Sequence, residues 1–201
     1  MFITLDGIDG VGKSTQIARL AEHLTSLGQD VLTVRDPGST DIGSKLRSLL
    51  LDSDLTMHRR TEAMLFMASR CEMVETIIRP ALDAGRWVIS DRFLLSTVVY
   101  QSVGGDVPPD LLWKLGEAAN DWLCPDVTIL LDMPAEASMR RLDRPADRME
   151  SRGLDYLETV RQAFLDQLPH SSPRNVVIDA DRDIDAVTDD VLALFASQAS
   201  T

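Results

Sequence analysis

Cysteine is scarce in this chain, basic residues are outnumbered, and no apolar run approaches the length of a bilayer span. The two cysteines, Cys71 and Cys124, show neither CxxC nor Cys/His spacing, which argues against a zinc site and a disulfide. Their apolar neighbours predict buried free thiols. Lys and Arg number 20 against 32 Asp and Glu, a net charge of −12. A nucleic-acid polymer draws on a broad basic surface, so none is expected as partner. Anionic small molecules remain, provided that the few cations gather where phosphates sit. Without a spanning run, and with an apolar strand already at Phe2 leaving no room for a cleavable leader, no membrane partner is expected and the expected location is the cytoplasm. Neither repeats nor linkers interrupt the 201 residues, 44% of them hydrophobic, so a single domain over 1–201 is expected.

What is present begins with Gly7-Ile8-Asp9-Gly10-Val11-Gly12-Lys13-Ser14-Thr15, which fits GxxxxGK(S/T). Glycines let such a loop curl so that successive amides face phosphate oxygens. The lysine brings a point charge to the outer phosphates, and the serine offers a hydroxyl to magnesium. The helix that follows turns its positive dipole end toward the same anion. A glycine-rich turn matches the pattern by accident in roughly one chain of this length in a hundred. The flanks favour the phosphate cradle: Phe2-Ile3-Thr4-Leu5 has strand character, and Ile17, Leu20, Leu24 and Leu27 follow at helical spacing.

Four further strands are expected at 31–34, 87–90, 127–131 and 175–178. Helices are expected at 16–27, 42–51, 58–84, 108–123, 154–168 and 183–195. Strands alternating with helices give a three-layer α/β fold of the P-loop NTPase type, five parallel strands with helices on both faces. In the long helix, Met64, Met67, Cys71, Val74, Ile78 and Ala81 form one apolar seam. Ile42, Leu46, Leu49 and Leu50 share a side of the shorter helix 42–51. Met73 and Ile77 suit either the core or a contact with a second copy. Phe66 and Arg70, four apart, read either as a snorkelling surface pair or as a ring that stacks on a base with a guanidinium at its edge.

Ligands of parallel sheets bind beyond the carboxyl ends of the strands. Asp91 and Arg92 fall there, where Asp91 can hold Lys13 or the water shell of magnesium and Arg92 can clamp a second phosphate. A local ion pair is the alternative. The polar turn 35–40 lies on the same edge. Asp132, with Pro134 after it, reads as a helix-start residue rather than a ligand. Arg140, Arg141, Arg144, Arg148 and Arg152 crowd around Pro145, the main positive feature of an acidic chain, and suit closure over a transferring phosphoryl group.

Together these segments resemble the thymidylate kinases, which phosphorylate dTMP to dTDP with ATP. The resemblance runs over nearly the whole chain and rests on FITLDGIDGVGKSTQ, RDPGST with KLRSLLL, LFMASR, SDRFLLSTVVYQ, and DRME followed by VRQAF. It implies that Gly7 to Thr15 bind ATP, with Ser14, Asp9 and Asp91 serving a magnesium ion. Phe66 would stack on thymine, Arg70 would bond its edge, and Arg92 would hold the dTMP phosphate, with Asp9 positioning phosphates and metal. Thr97 and Gln101 would lie beside the base and Ser96 on the substrate side, while Tyr100 would crowd the place of a ribose 2′-hydroxyl. Family members carry a further arginine either in the phosphate loop or in a lid. Gly10 and Val11 leave that role to a lid at about 140–153, with Arg148 and Arg144 as candidates beside Lys13, Asp9 and Arg92 in catalysis. A homodimer serving dTTP synthesis is also implied.

Five positions depart from the family pattern: Asp36 for glutamate, Ser39 for glycine, Phe93 for tyrosine or histidine, Gly105 for arginine and Met73 for histidine. Two other readings stand beside this one. A kinase of the same fold could act on another nucleotide or on a nucleoside, although Arg92 favours a monophosphate and Phe66 with Arg70 a pyrimidine. A non-catalytic nucleotide switch would need no second phosphate clamp.

Overall fold

Five apolar runs hydrogen-bond into one parallel sheet. They are β1 (Phe2–Asp6), β2 (Val31–Arg35), β3 (Trp87–Asp91), β4 (Val127–Asp132) and β5 (Arg174–Asp179), in the spatial order β2-β3-β1-β4-β5. The computed structural model describes residues 1–52, 55–105, 107–142 and 153–196. Central β1 is buried along its whole length, which is why it reads as an unbroken apolar run. Its residues alternate between two cores. Ile3 and Leu5 join Leu20, Leu24, Phe164 and Val191 on one face, and Phe2 joins Met67, Ile78, Phe93 and Leu112 on the other.

The helices among the described residues are α1 (Lys13–Ser26), α2 (Asp41–Arg47), α3 (Arg59–Met73), α4 (Arg79–Asp83), α5 (Leu94–Ser102), α6 (Pro109–Ala119), α7 (Ala135–Arg140), α8 (Leu154–Gln167) and α9 (Ile184–Ala193). None is long and apolar enough to cross a membrane. The expected long helix at 58–84 is α3 and α4 joined by a π-turn over Val74–Ile78. Pro80 lacks the N–H that a regular α-turn would send back to Thr76, so the ladder loosens just before it.

The expected seam of that helix holds at four of its six residues, Met67, Val74, Ile78 and Ala81, which are buried. Ala63, Met67, Arg70, Met73 and Val74 are buried, whereas Met64 is 52% exposed and Cys71 faces outward. The face turned inward carries Glu62, Ser69 and Arg70 as well as apolar groups, so apolarity alone misplaced Met64 and Cys71. Cys124, in the loop before β4, is also exposed, and neither cysteine is the buried thiol expected. Met73 belongs to the core, with Ile77 partly buried against it. Ile42 is exposed, and 42–51 is α2 followed by a π-turn over Ser48–Asp52.

The helix expected at 108–123 stops at Ala119, because Asp121 and Trp122 both take left-handed φ values of 46° and 59°. Arg79 fastens that turn, donating to the Asn120 and Asp121 carbonyls at 3.1 and 2.6 Å. Asp132 is not the start of α7, whose N-cap is Pro134. It holds Arg161 of α8 through two 2.8 Å hydrogen bonds.

Candidate active site

The phosphate loop leaves the carboxyl end of β1 and turns back into α1. Its tight course requires glycine at two places. A Cβ on Gly7 would stand 2.4 Å from the Leu131 carbonyl oxygen, and one on Gly10 would stand 2.3 Å from that of Ser138. Ile8 and Val11 send their side chains into the core, so only their backbone can serve a phosphate. Asp9, Gly10, Gly12, Lys13, Ser14 and Thr15 line a cavity of about 320 Å³ together with Arg35, Asp91, Arg92 and Leu142.

Lys13 is folded inward. Its Nζ donates to the carbonyls of Gly7 at 3.0 Å and Ile8 at 2.8 Å and lies 3.6 Å from Asp9 Oδ1. Burial pushes its pKa down to about 8, with Arg92 acting the same way and Asp9, Asp91 and Asp6 opposing. Above about pH 8 the free lysine is increasingly neutral, whereas phosphate oxygens favour its charge. Binding of a nucleoside triphosphate one pH unit above that value is therefore expected to take up a proton, with affinity falling as pH rises. Calorimetry in two buffers of different ionisation enthalpy checks this, and identical binding heats would contradict it.

Arg92 follows β3 with a left-handed φ of 70°, a conformation that a non-glycine residue adopts at a cost. Its N–H donates to the Leu5 carbonyl at 3.0 Å, and its carbonyl accepts from Ser90 Oγ at 2.6 Å. The guanidinium donates to Gly7 O at 3.0 Å, Ser96 Oγ at 2.9 Å and Asp9 Oδ1 at 2.7 Å, and lies 5.2 Å from the Tyr100 ring centroid. Burial works against its charge, but Tyr100, Asp9, Asp91 and Asp6 outweigh it and raise its pKa well above that of a free guanidinium. It is a fixed cation. Asp91 lies 3.7 Å from Arg35, and its Oδ1 is buried without a hydrogen-bond partner among the described residues.

A second cavity of about 280 Å³ adjoins the first. It is lined by Pro37, Arg47, Leu51, Phe66, Phe93, Ser96, Thr97, Tyr100 and Gln101, and also by Asp9, Arg35, Asp36 and Arg92. Asp9, Arg35 and Arg92 thus line both cavities. Gln101 is fully buried with both carboxamide atoms unpartnered among the described residues, so it brings a donor and an acceptor to this wall. The Tyr100 ring is pinned edge-on against Phe164 at 5.7 Å.

Arg70 does not line this cavity but lies behind its wall. Only 1% exposed, it donates through Nε to Asp36 Oδ2 at 2.5 Å and through Nη2 to Thr97 Oγ1 at 2.5 Å, with its guanidinium 5.4 Å from the Phe93 ring centroid. It is therefore not a snorkelling surface residue. Asp36, placed by a cis Asp36–Pro37 bond, has its pKa raised by burial, while Arg70 holds it down. Ser39 bonds the backbone of Arg35 in both directions, and Gly105, which does not line the cavity, ends the turn after α5.

The lid candidates Arg144 and Arg148 lie outside the described residues, as does Arg152. Sequence reasoning missed Asp6, Arg35 and Arg47. Arg35 carries the signal that revealed Arg92, a cation at the carboxyl end of a strand.

A cavity lined by the phosphate loop thus adjoins a second one lined by Phe66 and Gln101. The family model for thymidylate kinase matches residues 5–191. The chain belongs to the thymidylate kinase family. It is 65% identical to the thymidylate kinase of Rhodopirellula baltica over 192 residues, 96% of this chain and 78% of that one. The thymidylate kinases of Thermosipho melanesiensis and Bifidobacterium longum (strain DJO10A) are 40% and 42% identical over 188 and 191 residues, each match covering 93% of both chains.

The donor set suits a hard divalent metal ion. Asp9, Asp91 and Ser14 line one cavity and offer only oxygen, and the orphaned Asp91 Oδ1 lacks a donor that a metal-bound water would supply.

Proposed function

We propose that this chain transfers the γ-phosphoryl group of ATP to dTMP, giving dTDP and ADP, as a step of dTTP synthesis. One observation carries the reading: the phosphate-loop cavity and the second cavity meet along a shared wall of Asp9, Arg35 and Arg92. A nucleoside monophosphate in the pocket would present its phosphate where the triphosphate ends.

Such a transfer needs alignment and charge neutralisation rather than a covalent intermediate. Lys13 exchanges two carbonyl partners for phosphate oxygens and places its charge on the donor. Arg92 holds the acceptor phosphate with the donors its protein partners leave free, and Asp9 keeps that guanidinium facing the junction. A magnesium ion on Ser14, Asp9 and the water shell near Asp91 would neutralise charge on the phosphates. In the pocket Phe66 offers a face for the base, and Gln101 a donor and acceptor that match the N3–H and carbonyl edge of thymine. Arg70, held by Asp36, orients Thr97 toward the same edge. Tyr100 sets the wall against the sugar. Arg148 and Arg144 complete the charge from a lid at about 140–153 of this single domain, closing out water.

We place the enzyme in the cytoplasm as a homodimer. Met73 is buried, and among the exposed residues of α3 Met64 is an apolar one available to such a contact. Binding of dTMP without ATP, measured by calorimetry, tests the pocket. Phe66→Ala and Gln101→Ala are each expected to weaken it about tenfold or more, given what a stacked ring and a buried hydrogen-bond pair contribute, with ATP affinity unchanged. Unweakened dTMP binding in both would overturn the assignment.

A further inference from the structure

The last residue of β1, Asp6, is fully buried and lines neither cavity of the site. It faces instead a separate cavity of about 110 Å³ bordered by Trp113, Trp122 and His170. Its Oδ1 accepts a 2.6 Å hydrogen bond from Ser96 Oγ, and its Oδ2 has no partner among the described residues. A serine hydroxyl has one proton. With that proton given to Asp6, Ser96 can only accept, and it accepts from Arg92 Nη1. Ser96, expected on the substrate side, therefore has no donor left for a substrate.

We infer that Asp6 is a positioning residue for Arg92, acting through the orientation of the Ser96 hydroxyl. Nη1 spends both protons, one on Ser96 and one on Gly7 O, and Nη2 spends one on Asp9. Nε–H and one Nη2–H remain unspent among the described residues, two donors able to meet two oxygens of a phosphate. Without Asp6 the Ser96 hydroxyl is free to rotate and donate elsewhere, and the edge that Arg92 presents is no longer unique. The carboxyl Oδ1 accepts from Ser96 whether the group is charged or neutral, so the relay does not depend on titration. The strained backbone of Arg92, tied at its N–H and its carbonyl, leaves the side-chain contacts to set where the fork points.

This rests on the reading of Arg92 as the clamp on the acceptor phosphate. The test is a set of variants in the full chain: Asp6→Ala, Ser96→Ala, the double variant, and Asp6→Asn, whose amide oxygen can still accept from Ser96. Each single alanine is expected to raise the KM and the Kd for dTMP about tenfold, a misaimed clamp rather than a lost one, with the KM for ATP changed less than about twofold. The double variant should be no worse than either single, because both cut one chain of contacts. Asp6→Asn should recover to within about threefold of the parent.

Nitrogen-15 signals of the Arg92 guanidinium should be resolved in the parent and Asp6→Asn proteins and broadened in the alanine variants. Additive losses, or a lowered Tm with unchanged dTMP affinity and an unchanged Arg92 signal, would overturn the relay. Absence of dTMP turnover and binding in the parent protein would instead overturn the proposed function, and the Arg92 signal would still decide the relay. Should Asp6→Ala fail to fold, Ser96→Ala and Asp6→Asn decide the relay by the same two readouts.

Discussion

Replacement of Arg92 by alanine is expected to lower kcat/KM for dTMP by about a thousandfold or more, the scale of losing a transition-state cation in phosphoryl transfer. The guanidinium is a fixed cation lining both cavities, and its side chain is 15% exposed, against 60% for Arg35, which also lines both. Fold and ATP binding should persist, because its backbone bonds to Leu5 and Ser90 do not need the side chain. Arg92→Lys should recover little. An ammonium cannot hold Asp9, Ser96 and Gly7 as a planar fork does while still facing a phosphate. Steady-state kinetics with a thermal melt as control checks both variants. Near-normal turnover in Arg92→Ala would remove the acceptor side of the account. Lys13→Ala should abolish turnover in the same way from the donor side.

Replacement of Arg70 by methionine is expected to act on stability first. The substitution leaves the Asp36 carboxylate buried without its cation, and breaking such a pair costs about 3–5 kcal/mol. The loss should depend on pH, with a definite sign. Burial already raises the Asp36 pKa, and removing Arg70 takes away the largest influence that lowers it. When a folded-state carboxyl has a raised pKa, the native protein binds more protons than the unfolded chain between the ordinary carboxylate value and the raised one. Stability then falls as pH rises through that window. The deficit of Arg70→Met should therefore be largest at neutral pH and shrink on acidification. Adding Asp36→Asn should recover much of it, because the uncompensated charge disappears. Urea unfolding at neutral and acid pH reads these differences, and a deficit independent of pH would contradict the role given to Asp36.

The parallel sheet was legible because strands buried on both faces, such as β1 and β4, are written as unbroken apolar runs. The phosphate loop was legible because its chemistry demands particular residues at fixed spacing, and Asp91 and Arg92 because a charged pair ended such a run. The cavity proposed to hold the base was reached only through resemblance: the spacing of Phe66 and Arg70 fits a surface pair equally well, and the partner that buries Arg70, Asp36, lies 34 residues away.

The same limit misled the reading of Cys71. A helix face that buries Glu62, Ser69 and Arg70 does not announce itself by hydropathy. Asp6 could have been found, as a carboxylate closing an otherwise apolar central strand just before the loop. Nothing local marks Ser96 as a relay rather than a ligand, since that depends on where one hydroxyl proton points.

The measurement that tests the central claim most directly is ADP release from ATP and magnesium with dTMP, dUMP, dCMP, dAMP or no acceptor. Turnover is expected with dTMP and only background without an acceptor. For dUMP, which lacks one methyl group, kcat/KM should be about 10- to 200-fold lower. ADP release at the same rate with and without dTMP, or a preference for another monophosphate, would contradict the account.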